Sequence, residues 1–172
     1  PARRFIILLF HPVVQDLANS ARQSPHEQIA AIVDAIGVVR ATRADLQVLV
    51  LLPTADAGNR PIREALEAIE DVEGVALTAH LSRGSYLSAL ASASALVGNS
   101  SSGIIEASSF GLPVVNVGDR QFGRERNPNV VDVPAERGAI VEALATALCG
   151  PRPEARNIYR HPDTAGRIVE IL

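Results

Sequence analysis

Apolar residues recur along this chain in two alternating rhythms. Short runs at Arg4 to Phe10, Gln47 to Leu52, Val75 to Thr78, Ala95 to Val97, Val114 to Val117 and Val130 to Val133 have the length and β-branched content of buried strands. Between them the spacing widens to a helical period. Gln28 to Arg40 (QIAAIVDAIGVVR) places Ile29, Ile32, Val33, Ile36 and Val39 on one face, and Ile62 to Ile69 does the same with Ile62, Leu66 and Ile69. Tyr86 to Ala93 reads as a short helix before the fourth strand. A further helix runs from Ala139 to Leu148 until Pro151-Arg152-Pro153 breaks it, and Asp163 caps a final one ending at Leu172. Alternation of strand and helix predicts βαβ units around a parallel sheet. The expected fold class is α/β, a Rossmann-like doubly wound domain of about six strands over residues 1–172. No internal repeat or low-complexity linker interrupts it.

One segment carries more than fold. Ala95 to Arg126 reads ALVGNSSSGIIEASSFGLPVVNVGDRQFGRER. Its strand enters Gly98-Asn99-Ser100-Ser101-Ser102-Gly103, after which a helix is expected to open at Ile104 with Glu106 in its first turn. A helix start leaves about four backbone N–H groups without partners and carries about half a positive charge, so a phosphate placed there gains both hydrogen bonds and field. The serine hydroxyls add donors, and the glycines let a ligand approach the backbone. Ordinary capping accounts for Ser and Gly at such a position equally well. Glu106, three after Gly103, completes a reciprocal cap only in part, because that motif prefers Ser or Thr at its first position. Three hydroxyls nevertheless exceed what a cap requires. Phe110-Gly111-Leu112-Pro113 then stops the helix, and Gly118-Asp119-Arg120-Gln121 opens a loop at the carboxyl end of the next strand. Ligands of open α/β sheets gather along that edge.

Composition narrows the field. At 172 residues and 47% hydrophobic content the chain can bury one full core. No apolar run approaches the ~18 residues of a membrane span, and Pro1-Ala2-Arg3-Arg4 begins no signal-peptide pattern, so the expected location is cytoplasmic and away from membranes. The single cysteine, Cys149, is expected to be inert, half-buried and in a reducing compartment. A net charge of -3, with two Tyr, four Phe and no Trp, argues against a nucleic-acid surface. All 16 basic residues are Arg, a compositional bias without functional content. The chain has no Met and its first strand begins almost at residue 1, as in a domain cut from a longer protein or a chain that has lost its start Met.

The words GNSSSGIIEA and FGLPVVNVGDRQFGRER together resemble the C-terminal half of the hydrolysing UDP-N-acetylglucosamine 2-epimerases. Phe10-His11-Pro12-Val13 closing the first strand, Asp56-Ala57-Gly58 after the second and Arg167-Ile168-Val169-Glu170 near the end fall where that family has similar words. The resemblance implies one half of a two-domain GT-B fold, with substrate in the cleft between the halves, an N-terminal domain as missing partner, a homodimer in the full enzyme, and neither metal nor other cofactor. It also implies roles. Ser100 and Ser101 would hold the diphosphate, Glu106 the ribose hydroxyls, Leu81 the uracil through backbone groups, and Arg120 the phosphates or the closure of the site. Gln121, Gly103 and Thr54 are further candidates for substrate contact.

His11 is the residue expected to act directly, donating to the departing diphosphate or moving a proton near neutral pH. By itself, a His before Pro at a strand end is more often structural. His26 reads as a solvated helix-start residue, His80 as a loop residue near the pocket and His161 as a surface residue. Two departures stand out: Ala55, after Thr54, replaces a common Asn, and Arg160-His161-Pro162-Asp163 follows Tyr159 in place of a Gly-Asp-Gly turn. The implied reaction eliminates UDP across C1 and C2 of the sugar and then adds water with inversion at C2. The leaving-group side is legible here and the base is not, so the isolated chain is expected to bind UDP weakly and turn over nothing measurable. Three alternatives share the pattern: the donor domain of a GT-B glycosyltransferase, a non-catalytic nucleotide-sugar-binding module, and a non-hydrolysing epimerase.

Overall fold

A computed structural model describes residues 4–13, 23–53 and 58–172. Six parallel strands form one sheet in the order β3-β2-β1-β4-β5-β6, with β1 Phe5–Leu9, β2 Gln47–Leu51, β3 Val75–Thr78, β4 Ala95–Gly98, β5 Val114–Val117 and β6 Val130–Val133. This is the doubly wound, Rossmann-like order expected from the alternating pattern. The helices are α1 Pro25–Ala41, α2 Asn59–Glu67, α3 Arg83–Ser92, α4 Ser101–Ile105, α5 Arg137–Cys149 and α6 Thr164–Ile171, with a 3₁₀ turn at Ala107–Phe110.

The central strands β1, β4 and β5 are almost wholly buried because both faces of the sheet are covered there, while the edge strands β3 and β6 keep exposed positions. Ile6, Leu8 and Phe10 of the first strand region pack with Ile29, Ile32 and Ile36 of α1, Ile62 and Leu66 of α2, and Ile140 and Leu144 of α5. Ile7 and Leu9 point the other way, toward Leu90 of α3 and Ala107 of the 3₁₀ turn. Period-2 alternation thus divides β1, β2, β4 and β5 between two cores.

Helix starts lie a few residues upstream of the apolar spacing that announced them. Helix α1 begins at Pro25 because Ser24 and Glu27 close a reciprocal cap: the Ser24 hydroxyl accepts from the Glu27 N–H, and the Glu27 carboxylate accepts from the Ser24 N–H at 2.8 Å. Proline fits the first turn, where its missing N–H costs nothing. At the far end the Asp163 carboxylate caps α6 as expected, accepting from the Gly166 N–H at 3.0 Å.

Cys149 departs from expectation. It ends α5 on the solvent side and is exposed, with Arg43 Nη2 donating to its Sγ at 2.8 Å. The apolar stripe of α5 is carried by Ile140, Leu144 and Leu148, and the next position along the helix turns away from it.

Candidate functional site

Strand order reverses between β1 and β4, which puts a topological switch point at the carboxyl edge of the sheet, where ligands of such folds collect. Leu9 and Gly98 are the last paired residues of the two strands. The chains then part toward His11 and the serine helix, and Asn99 spans the gap. Its Nδ2 donates to the His11 carbonyl at 2.8 Å, and its Oδ1 accepts from the His11 N–H at 2.7 Å. The side-chain amide therefore acts as one more rung of the ladder, placed where the backbones no longer meet. Asn99 also donates its own N–H to the Leu9 carbonyl at 3.2 Å. Its carbonyl accepts from Gln121 Nε2 at 2.7 Å and from Arg120 Nη1 at 3.2 Å. At 1% exposure, each of these polar groups would be costly to leave unmade.

The sequence-predicted residues His11, Arg120 and Gln121 thus meet around one residue that sequence reasoning left without a role. An Asn between a glycine and three serines reads as a turn residue, and its partners lie as far as 88 positions away. The signal that could have marked it is an amide side chain directly at the end of an all-apolar strand, where a buried polar group must find partners.

The serine helix differs from its expected form. Helix α4 starts at Ser101, with Ser100 as its N-cap accepting from the Ser102 N–H at 3.3 Å, and ends after five residues. Glu106 lies at its C-terminal cap and not in its first turn. Serine is a weak helix former in mid-helix but well suited to a first turn, where hydroxyls satisfy loose N–H groups, so the helix opens earlier than its apolar pattern. Five residues give a correspondingly small dipole. Gly103 is buried against the sheet: a Cβ there would stand 3.0 Å from Val114 Cγ1 and 3.3 Å from Leu96 Cδ2. Its bareness serves helix–sheet packing.

Glu106 projects from the end of α4 toward α3, where Arg83 Nη1 approaches its Oε1 at 3.4 Å. The two line a pocket of about 340 Å³ shared with Asn157, Tyr159, Arg160 and His161. One turn earlier the Ser102 hydroxyl bonds the Tyr86 hydroxyl at 2.5 Å. Burial pushes the Tyr86 phenol above its usual value, the bond to Ser102 opposes the rise, and the charge of Glu106 adds to it. Leu81 lies between β3 and α3 with its side chain packed on the second core, which leaves its backbone as the part able to meet a ligand.

Arg120 is exposed, and Phe122 beside it is 89% exposed. Their loop is braced from below. Arg126 donates from Nε to both carboxylate oxygens of Asp132 at 3.1 and 3.0 Å, and from Nη1 to the Gln121 carbonyl at 3.0 Å. Asn116 Nδ2 holds the same carboxylate at 2.6 Å. The exposed Arg120 guanidinium is thereby carried on a braced loop at the sheet edge, a cation suited to an anion. Among the described residues no group of three or more His, Cys, Asp or Glu side chains could hold a metal ion. Thr54 and Asp56 lie outside the described residues. His26, His80 and His161 are exposed, and His161 Nδ1 accepts from the Asp163 N–H at 3.2 Å. No helix of the described residues is long and apolar enough to cross a membrane.

The sequence profile described as UDP-N-acetylglucosamine 2-epimerase matches residues 1–172. The chain belongs to that family. Among curated relatives, the UDP-N,N'-diacetylbacillosamine 2-epimerase (hydrolyzing) of Legionella pneumophila is 38% identical over 172 residues, which is 100% of this chain and 43% of that protein. Polysialic acid biosynthesis protein P7 of Escherichia coli is 30% identical over 142 residues, 83% of this chain and 34% of the relative. The chain therefore spans less than half the length of these relatives. The S. aureus MnaA-UDP co-structure superimposes with a TM-score of 0.74 at 16% identity, covering 97% of this chain and 43% of that one, so the two share the fold.

Proposed function

We propose that this chain is the UDP-binding, C-terminal half of a hydrolysing 2-epimerase acting on a UDP-linked N-acetylated sugar. The observation that carries the reading is the meeting of His11, Arg120 and Gln121 around Asn99 at the topological switch point, in a chain of the 2-epimerase family. The Legionella relative, a hydrolysing 2-epimerase of UDP-N,N'-diacetylbacillosamine, supports the hydrolysing branch and adds a diacetylated sugar to UDP-N-acetylglucosamine as a candidate substrate. The P7 relative supports a place in the supply of sialic-acid-like products.

In this reading Ser100 and Ser101 bind the diphosphate and Glu106 accepts both ribose hydroxyls, as a carboxylate with two acceptor oxygens can. Leu81 offers backbone groups to the uracil, while Gly103 packs α4 on the sheet beside them. A base removes the proton on C2, the C1–O bond breaks, and UDP leaves with the bonding pair. His11 and Arg120 stabilise the charge that develops on the leaving diphosphate, Gln121 holding the Arg120 loop in place. Water then adds across the resulting double bond, hydroxyl to C1 and proton to C2 from the opposite face, giving the free 2-epimer. The base comes from an N-terminal domain that closes the cleft, in an enzyme that works as a cytoplasmic homodimer.

The test is UDP release by the full-length protein from UDP-N-acetylglucosamine and from UDP-N,N'-diacetylbacillosamine, with no acceptor present. A free sugar inverted at C2 is the expected product. A glycosyltransferase donor domain would release nothing without an acceptor, a non-hydrolysing enzyme would return an epimerised nucleotide sugar, and a binding module would do neither.

A further inference from the structure

We infer that Asn99 is a positioning residue of this reaction, setting His11 and Arg120 in a fixed relation to each other. The inference rests on the proposed role of His11 toward the leaving diphosphate.

His11 lies two residues past the end of β1, beyond the reach of the backbone ladder. Such a position is ordinarily loose. Here the N–H and the carbonyl of the same residue are both held by one buried side chain, at 2.7 and 2.8 Å. Pro12 follows, and a proline disfavours the helical region for the residue before it. The backbone from which the imidazole hangs is therefore constrained on both sides. The carbonyl of Asn99 takes Arg120 Nη1 and Gln121 Nε2, so the strand-end imidazole and the loop guanidinium share one anchor. Two donors that must reach one diphosphate need that kind of common frame, since a displacement of about 1 Å costs on the order of 100-fold in rate.

A merely structural Asn would affect stability alone. The side-chain bonds go to His11 while the bonds to Arg120 and Gln121 come from the backbone, so a side-chain substitution reaches His11 selectively. Asn99→Asp keeps the shape but sets a carboxylate oxygen against the His11 carbonyl in place of the donor.

The experiment is a double-mutant cycle of Asn99→Asp and His11→Gln in the full-length protein. It reads UDP release from UDP-N-acetylglucosamine, or from UDP-N,N'-diacetylbacillosamine if the wild type turns that over faster, with calorimetric UDP binding on the same samples. Asn99→Asp is expected to lower kcat about 10- to 100-fold while KM and UDP affinity stay within about twofold, and the double variant should be no slower than His11→Gln. If Asn99→Asp does not fold, Asn99→Ala takes its place in the cycle. Multiplicative losses, an unchanged kcat in the Asn99 variant, or a loss confined to KM would overturn the inference and leave the role of His11 intact. An unchanged kcat in His11→Gln would instead remove the role of His11, and the positioning of it with that.

Discussion

A Cβ built on Gly98 would stand 2.0 Å from the carbonyl oxygen of Leu9. Gly98 also holds φ at +139°, a backbone conformation that residues with side chains rarely adopt. The two strands can close at the switch point only because this residue has no side chain. Gly98→Ala combines backbone strain with overpacking against a neighbour that cannot yield, and should cost on the order of 3 kcal/mol. Urea unfolding of the variant beside the wild type checks this, and a shift under about 1 kcal/mol would show that the strands can part without penalty.

Tyr86 predicts a response to alkali. Its folded-state pKa is raised, so the folded protein holds the phenolic proton more tightly than the unfolded chain. Stability from this group is complete below the ordinary tyrosine value near 10 and is lost as pH rises through the higher folded value. Denaturant midpoints across that window should fall more steeply for the wild type than for Tyr86→Phe. At neutral pH the same variant should lose about 1 kcal/mol, the net worth of one hydrogen bond to Ser102.

Acid acts on the start of α1. The Ser24 backbone N–H and then the Ser24 hydroxyl, both donating to the Glu27 carboxylate, lower its pKa. The contribution of that carboxylate is present above the ordinary glutamate value and is lost as pH falls through the lower folded one. Ser24→Ala should cost about 1 kcal/mol as a lost N-cap, and Glu27→Gln, which cannot ionise, should flatten the acid side of the stability profile. An acid limb identical to that of the wild type would place the sensitivity elsewhere.

The proposed binding of UDP can be tested at each end of α4. Calorimetry with Glu106→Ala and Ser101→Ala, using AMP and phosphate as controls, should show each substitution weakening UDP by about 10-fold or more, the worth of a hydrogen bond to a charged group. Arg83→Ala should change stability by no more than about 0.5 kcal/mol, because its 3.4 Å pair with Glu106 is solvent-exposed on the arginine side. UDP binding no better than phosphate would reduce the serine run to a capped helix start.

What could be read in the chain beforehand follows the range of the forces involved. The strands at Val75 to Thr78, Val114 to Val117 and Val130 to Val133 are found at the residues where the sequence placed them: β5 is buried on both faces, and the edge strands β3 and β6, though partly exposed, are short β-branched stretches between turn residues. Helices were legible in existence and face but began too late: α1 opens at Pro25, α3 at Arg83 and α5 at Arg137, since first turns are solvated and lack the apolar period. The serine helix opens before its apolar residues for the same reason, its N-cap and first two positions being serines. Asn99 was illegible because its meaning lies in His11, Arg120 and Gln121, which only the closed sheet brings to it.

Arg152 carries a consequence for where this unit can be cut. Its guanidinium donates to the carbonyls of Leu90, Ala91 and Ala93 at the end of α3 and to that of Phe110 at the 3₁₀ turn. Asn157 then fastens the following stretch to Ile105 and Ser109. The proline-rich stretch after α5, which in sequence invites a truncation, is therefore a clasp across the end of α3, the end of α4 and the 3₁₀ turn. A minimal version of this unit for crystallisation or fusion should retain residues through Asn157, and one ended at Gly150 would release the carbonyls that Arg152 closes over.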